Sequence, residues 1–163
     1  MTSQTLYVRD RLGDFIPATP DVVLTAAKTH LNRRVRRGAA LTSPDLVRNF
    51  LAVTLGDRDC EYFCVICLDT QRRVLRFVEL FRGTLDAASV HPREVVKLAL
   101  ETPQTSALLL AHNHPSQSKT PSAADEQITR ALVSALGLIG VRVLDHLLVA
   151  GGDVVSFVEL GLL

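Results

Sequence analysis

The sequence predicts a mixed α/β (α+β) domain, because segments with helical periodicity alternate with short apolar runs of β-forming residues. Its 163 residues suffice for one domain plus a short extension, since domains run to roughly 100–200 residues. Hydrophobic residues make up 47% and charged residues 21%, close to globular averages, which excludes a disordered or collagen-like chain. The formal net charge of +1 supplies no global field that would attract nucleic acid or a membrane surface.

The first 41 residues predict an N-terminal arm followed by one amphipathic helix. Residues 1–19 contain few periodic apolar positions, so we expect them to be irregular. The helix begins after Thr19 as N-cap, with Pro20 at its first position, and its apolar face consists of Val23, Leu24, Ala27 and Leu31. It ends before Gly38 in a cluster of arginines, namely Arg33, Arg34, Arg36 and Arg37. Such a cluster can contact phosphates, although it is more often a solvated helix end.

The main domain is expected to comprise residues 42–163. It opens with a second amphipathic helix, which is capped at Ser43 and stops near Gly56. The apolar run YFCVICL, which starts at Tyr62, and the segment Val74–Phe81 then predict a β-hairpin.

The rest of the domain is predicted to alternate helices and strands. A short helix opens at Pro92, the apolar stretch Ala107–Ala111 (ALLLA) predicts a buried strand, and another helix begins at Thr120-Pro121 and ends near Gly137. Three strands are expected after it, at Val141–Leu144, His146–Val149 and Val154–Val158.

Residues with the chemistry of a metal site follow the ALLLA strand directly, as His112-Asn113-His114. Alternate side chains of an extended segment point the same way, so both imidazoles should face one side. Ten residues separate His114 from Asp125, which lies in the first turns of the next helix and can reach back. Two imidazoles and one carboxylate make a three-ligand zinc site with a fourth position for water, as in catalytic zinc centres. The alternative is that the histidines merely end a strand and Asp125 is a solvated acid.

The pattern His112-x-His114, seven residues, Ser122, two residues, Asp125 resembles the signature of the JAB/MPN (JAMM) metallopeptidase superfamily. Three segments are similar to its RadC branch, in particular to short forms that lack a helix-hairpin-helix region. These segments are residues 80–100 (LFRGTLDAASVHPREVVKLAL), 111–129 (AHNHPSQSKTPSAADEQIT) and 144–149 (LDHLLV). The resemblance covers roughly residues 42–163 and leaves residues 1–41 without an assured counterpart.

This resemblance implies a curved mixed β-sheet flanked by helices, a cytidine-deaminase-like architecture, with Zn²⁺ at a strand end. It assigns the zinc ligands to His112, His114 and Asp125. It gives Ser122 the role of steadying the reacting carbonyl or its oxyanion, with a simple helix cap as the alternative. It also implies a catalytic glutamate at the start of the first long strand after a helix, which is Glu61 here, with Glu79 as the competing candidate.

Three other residues are weaker site candidates. His91 could line the cleft or cap the helix that follows it, and Arg93 could bind an acidic substrate group or simply be exposed. His146 could lie behind a metal ligand, although a strand histidine is more often structural. Gln117 stands where the RadC branch commonly has glycine, which brings the loop conformation into question because only glycine adopts positive φ without penalty.

The cysteines do not predict a second metal site or a disulfide framework. Cys60, Cys64 and Cys67 are odd in number and crowded into one segment. Cys64 and Cys67 lie three residues apart in a predicted strand and should point to opposite faces, so we expect them in the core. The string HNH also does not predict an HNH nuclease, whose name refers to widely separated residues.

The sequence therefore favours a zinc-dependent metallopeptidase or isopeptidase-type hydrolase of amide bonds, acting on a peptide or protein substrate. The alternative is a DNA-repair or mobile-element accessory protein that binds DNA or a DNA-associated partner with little or no catalysis. A catalytically silent interaction module is a third reading. No secretory signal and no run of about 18 apolar residues is apparent, so we expect a cytoplasmic protein without a membrane partner.

Overall fold

The computed structural model describes residues 5–35, 38, 40, 41, 43–83 and 90–163. Four helices and two sheets account for most of them. The helices are α1 (Pro20–Arg34), α2 (Pro44–Leu55), α3 (Pro92–Glu101) and α4 (Ala123–Gly137). The strands are β1 (Tyr7–Arg9), β2 (Phe15–Pro17), β3 (Tyr62–Leu68), β4 (Val74–Arg82), β5 (Ala107–Asn113), β6 (Arg142–Ala150) and β7 (Asp153–Ser156).

The larger sheet has five strands in the order β4-β3-β5-β6-β7, and it confirms the predicted mixed α/β class. Only the β5–β6 pair is parallel, and α4 connects these two strands, as a crossover connection requires. The other neighbouring strands are antiparallel. β5 is therefore the middle strand, hydrogen-bonded on both sides, and it is the strand that carries His112.

Two hydrophobic clusters cover the two faces of this sheet. The first contains Phe50 and Leu51 of α2 with Cys64 and Ile66 of β3. The second contains side chains of α3 and α4, such as Leu132, packed on the alternate residues of β3. The layers are therefore α2, the sheet, and α3 with α4.

The helix starts follow the predicted capping chemistry. The side chains of Thr19 and Ser43 accept hydrogen bonds from backbone N–H groups of the first turns of α1 and α2, and a proline follows each cap. α4 begins at Ala123 with Ser122 as its N-cap, two residues later than Thr120-Pro121 had indicated. Arg36 and Arg37 of the arginine cluster lie outside the described residues.

The structure corrects three expectations. Residues 1–19 are not wholly irregular, because the Asp10 carboxylate accepts hydrogen bonds from the backbone N–H groups of Leu12 and Asp14 and so closes a β1–β2 hairpin. β5 continues past the predicted end at Ala111. The two strands predicted on either side of Asp145 form one strand, β6. Its pairing with β5 shifts register near Asp145 but is not interrupted.

The structure also bears on the cysteines, on Gln117 and on the helices. Cys64 and Cys67 belong to different hydrophobic clusters and so cannot share a metal ion. Gln117 adopts φ 60°, so the loop keeps a left-handed residue even though glycine is absent there. Among the described residues, no helix combines the length and apolar character needed to cross a bilayer.

Gly56, the C-cap of α2, tests the packing between α2 and the β6–β7 turn. A Cβ atom here would overlap the carbonyl oxygen of Gly151, although the Gly56 backbone itself is helical. We expect Gly56→Ala to lower the free energy of unfolding by about 1–3 kcal/mol through overpacking. Gly137→Ala is the control, because a Cβ there meets nothing within 4 Å. Denaturant unfolding should show Gly137→Ala as stable as the parent or slightly more stable, and equal stability of the two variants would contradict this account.

Candidate metal site

The two histidines lie at the C-terminal end of β5 and face one side, as the alternation of strand residues predicts. Their ring centroids are 5.0 Å apart. His112 is opposite Phe63 of β3 and Leu148 of β6 and is buried. The His114 backbone N–H still donates to the Val149 carbonyl (2.9 Å), so the parallel pairing also fixes the second histidine.

Asp125 reaches the histidines from the first turn of α4. Its carboxylate Oδ2 accepts hydrogen bonds from the Ser122 backbone N–H and from the Ser122 hydroxyl, both at 2.7 Å. The Asp125 N–H donates in return to Ser122 Oγ (3.2 Å), which completes a capping box. The cap therefore holds the carboxylate in one orientation, with Oδ1 on the side of His112.

The three side chains meet at one point. His112 Nε2 lies 3.3 Å from Asp125 Oδ1, and His114 Nε2 lies 3.4 Å from Asp125 Oδ2. Ligand atoms around one tetrahedral zinc ion, each about 2.0–2.1 Å from it, are about 3.3–3.4 Å from one another. Charge-assisted N–H···O bonds are shorter, at about 2.7–2.9 Å. The spacing thus matches the edge of a metal coordination shell better than a direct ion pair.

An unpartnered atom gives an independent test of this fit. His112 Nε2 is buried and makes no hydrogen bond to any described residue. A buried polar atom without a partner is costly, which is why such atoms are rare in folded proteins. A cation at this point would satisfy the nitrogen, and the His-His-Asp group can therefore hold a metal ion.

The electrostatics of the site favour an anionic carboxylate beside the imidazoles. Burial alone would raise the pKa of Asp125, but the neighbouring His112 and His114 and the Ser122 hydroxyl lower this pKa well below its usual range. The Asp125 carboxylate in turn raises the pKa of His114, and the Ser118 carbonyl adds to this effect. The site thus stabilises positive charge. A divalent ion could supply this charge in place of a proton on the imidazoles.

Behind His112, a chain of hydrogen bonds runs away from the site. His112 Nδ1 lies 2.8 Å from Nε2 of His146, and His146 Nδ1 lies 2.6 Å from the Thr129 hydroxyl. That hydroxyl donates to the Asp125 carbonyl oxygen (2.6 Å). Burial lowers the pKa of His146 well below its usual range, which disfavours the protonated ring. On the other ligand, His114 Nδ1 lies 3.0 Å from the Ser118 carbonyl oxygen.

Of the two candidate glutamates, Glu61 lines the site and Glu79 does not. Glu61 borders a cavity of about 290 Å³ that also exposes His112 and Asp125. Glu79 is paired with Cys64 across the β3–β4 ladder, on the α2 side of the sheet, and binds Arg58 at 2.7 Å. Of the two candidates, the glutamate nearer in sequence to the histidines thus faces away from them. The role of Glu61 as a base stays a prediction.

Asn113, between the two histidines, binds the backbone on both sides of Glu61. The Tyr62 N–H donates to Asn113 Oδ1 (2.8 Å), and Asn113 Nδ2 donates to the Cys60 carbonyl (3.1 Å). The Asn113 side chain is buried and points to the opposite face from the imidazoles. The start of β3 is therefore tied directly to the strand that carries the histidines.

The remaining sequence candidates have other environments. Ser122 serves as the helix cap described above and is not among the residues that line the cavity, so its oxyanion role stays a prediction. His91 is the exposed N-cap residue of α3 and makes no side-chain capping bond. Arg93 is exposed beside Glu94. By contrast, His146 is fully buried directly behind the His112 imidazole, the position that the sequence offers as the weaker of its two interpretations.

Sequence reasoning missed Thr129 and the apolar wall of the cavity. Thr129 lies one helical turn after Asp125, and this spacing was the available signal. Val90, Ala124, Ile128 and Ala131 form the apolar wall. Apolar residues at these positions carry no sequence signal that distinguishes a cavity wall from core packing.

Comparisons with known proteins agree with this geometry. The family model of the RadC-like JAB domain matches residues 41–162. A UPF0758 protein of Aeromonas hydrophila is 51% identical over 150 residues, covering 92% of this chain and 66% of its own length. One of Thioalkalivibrio sulfidiphilus is 53% identical over 152 residues, covering 93% and 67%.

A third relative, from Halorhodospira halophila, is 46% identical over 160 residues, covering 98% of this chain and 71% of its own length. The similarity to these relatives therefore continues upstream of residue 41, where the family match begins. The chain spans about two thirds of the length of the curated relatives it matches. On these matches and on the fold described above, the chain belongs to the RadC-like JAB domain family.

Proposed function

We propose that the protein is a zinc-dependent hydrolase of amide bonds, of the metallopeptidase or isopeptidase type. The observation that carries this proposal is the convergence of His112, His114 and Asp125 on one point, where a buried ring nitrogen lacks any partner among the described residues. Two nitrogens and one oxygen are a ligand set that zinc accepts, and three protein ligands leave a position free for water or substrate.

The chemistry requires a proton acceptor beside the metal ligands. Zinc in such a site acts as a Lewis acid that polarises a carbonyl and lowers the pKa of a water molecule. Glu61 borders the same cavity as His112 and Asp125. Its carboxylate would take the proton of the attacking water and deliver it to the departing amine. Asp125 and the histidines would meanwhile keep the orientation that β5 and the α4 cap impose.

The cavity favours a peptide-like substrate over a highly charged one. Its α4 wall is mostly apolar, at Ala124, Ile128 and Ala131. Its polar lining residues are few: Glu61, Tyr62, His112, Asp125 and Gln127. This combination suits an apolar side chain beside a polar scissile group, since pockets of this kind use few polar groups to fix orientation. The support for the DNA-associated alternative is still the arginine cluster of the sequence alone, because Arg36 and Arg37 of that cluster lie outside the described residues.

Zinc analysis and turnover should separate the two glutamates. We expect the parent chain to bind about one zinc per chain and to cleave members of a library of fluorogenic peptides and isopeptide-linked peptides. Glu61→Gln should retain zinc and lose activity by about 10²–10⁴-fold, because only the proton acceptor is removed.

Glu79→Gln is the matched control, since Glu79 lies on the other face of the sheet and should leave turnover unchanged. Full activity of Glu61→Gln would remove Glu61 from the mechanism. A zinc-loaded parent chain that cleaves no peptide or isopeptide bond would contradict the hydrolase proposal itself.

The position of Glu61 depends on Asn113, which suggests a second experiment. Asn113→Asp removes the donor to the Cys60 carbonyl and introduces a buried carboxyl. We expect the free energy of unfolding to fall by about 1–3 kcal/mol at pH 7. Because burial raises the pKa of that carboxyl in the folded state, the variant should regain stability as the pH is lowered toward 4.

Gln71→Glu is the control, since it makes the same amide-to-acid change at an exposed position of the β3–β4 turn. It should change stability by less than about 0.5 kcal/mol with no such recovery relative to the parent. If Asn113→Asp is as stable at pH 7 as the control, Asn113 does not anchor the start of β3.

A further inference from the structure

We propose that Thr129 and His146 are positioning residues that fix the ring proton of His112 at Nδ1 and so direct its Nε2 lone pair at the metal. This inference rests on the metal site of the proposed function and adds two residues that bind no metal. It starts from the chain of contacts from the Asp125 carbonyl to Thr129, His146 and His112.

The direction of each hydrogen bond follows from counting protons. The Thr129 hydroxyl has one hydrogen and donates it to the Asp125 carbonyl oxygen, which carries none. It must therefore accept from His146 Nδ1. The His146 ring is fully buried, and its two nitrogens face an imidazole and a hydroxyl rather than a carboxylate, so the ring is neutral and has only one N–H. Its Nε2 is therefore an acceptor, and the facing Nδ1 of His112 carries the donor hydrogen. Nε2 of His112 is then bare, as a metal ligand must be.

No other partner among the described residues competes with this arrangement. Thr129 and His146 are both fully buried. The rings of Phe157 and Phe63 flank the His146 imidazole, with centroids 4.5 Å and 5.5 Å from it. Asp145, the neighbouring acid, is bound elsewhere, since it accepts from the Ser156 hydroxyl (2.6 Å) and from the His146 backbone N–H (2.8 Å). The ring proton of His146 is therefore determined by Thr129.

Removing the Thr129 hydroxyl should reverse the direction of the hydrogen bond between His146 and His112. In Thr129→Val, which is nearly isosteric, His146 Nδ1 loses its acceptor, and the ring gains by placing its proton on Nε2 instead. The Nε2–H group of His146 would then donate to His112 Nδ1, which would have to be unprotonated. The single ring proton of His112 would therefore lie on Nε2, where it would prevent that nitrogen from binding a metal ion. The Asp125 carbonyl keeps its helical partner in α4, so the helix itself loses little.

The first experiment measures zinc affinity of the full chain by competition with a chromogenic chelator. Thr129→Val should weaken zinc binding by about 10–100-fold, the usual effect of losing such a supporting hydrogen bond. Thr129→Ser, which keeps the hydroxyl, should restore affinity. Ser134→Ala is the matched control, because the Ser134 hydroxyl makes the same bond to a carbonyl four residues back in α4 but contacts no histidine.

The second experiment locates the ring protons from imidazole ¹⁵N shifts of the full chain, with and without zinc. His112 and His146 of the parent should both carry hydrogen on Nδ1, and Thr129→Val should shift the His146 proton to Nε2. Should Thr129→Val fail to fold, Thr129→Ala against Thr129→Ser makes the same comparison.

A Thr129→Val chain that binds zinc within about threefold of the parent, or a parent His146 protonated at Nε2, would overturn this inference. Either result leaves the proposed hydrolase intact. Failure of the parent chain to bind zinc, by contrast, contradicts the proposed function, while the ring-proton positions still test the hydrogen-bond chain.

Discussion

The buried imidazole of His112 is the constraint on which the site depends. It sits at the end of the middle strand, so its backbone is held by β3 and β6 at once. One ring nitrogen is bound by His146, and the other has no partner among the described residues. Leaving a buried nitrogen in this condition costs free energy, which a metal ion would recover. Without a metal ion the fold would thus be less stable at this point, and the same nitrogen would be available to bind a cation.

The alternation of side chains along β5 explains how so short a segment serves both faces of the sheet. His112 faces the layer of α3 and α4, while Asn113 faces the layer of α2. A single extended stretch therefore supplies a candidate metal ligand to one side and, through Asn113, fixes the backbone around Glu61 at the start of the neighbouring strand. The distance between Glu61 and the histidines is in this way set by β-sheet geometry, which is stiffer than a loop.

Much of this arrangement could be predicted from the sequence, because its signals are local. Helix caps, the β3–β4 hairpin and the His-x-His alternation depend on spacing within one element. The contact between His146 and His112 depends instead on the register of two parallel strands separated by a helix. No local pattern encodes that register. The β1–β2 hairpin could not be predicted for another reason, since it is closed by the Asp10 side chain and by backbone hydrogen bonds of the turn rather than by apolar periodicity.

The Ser122 hydroxyl has two candidate roles, as the cap of α4 and as a donor to a reacting oxyanion. Its single hydrogen goes to Asp125 Oδ2, while its oxygen accepts from the Asp125 N–H. Stabilising a reacting oxyanion would require that hydrogen to leave Asp125. The contribution of about 1 kcal/mol from a capping serine comes from its oxygen, which accepts the backbone N–H and would keep that bond. A donor to an oxyanion would contribute about 2.7–4 kcal/mol in the transition state.

In the proposed mechanism a metal ion would share the negative charge of Asp125, so the carboxylate would depend less on the Ser122 hydrogen. The acceptor half of the cap, at Ser122 Oγ, is unaffected by this rotation of the hydroxyl. The observed cap and the predicted oxyanion role of Ser122 would then be successive states of one side chain rather than alternatives, with the helix start held throughout.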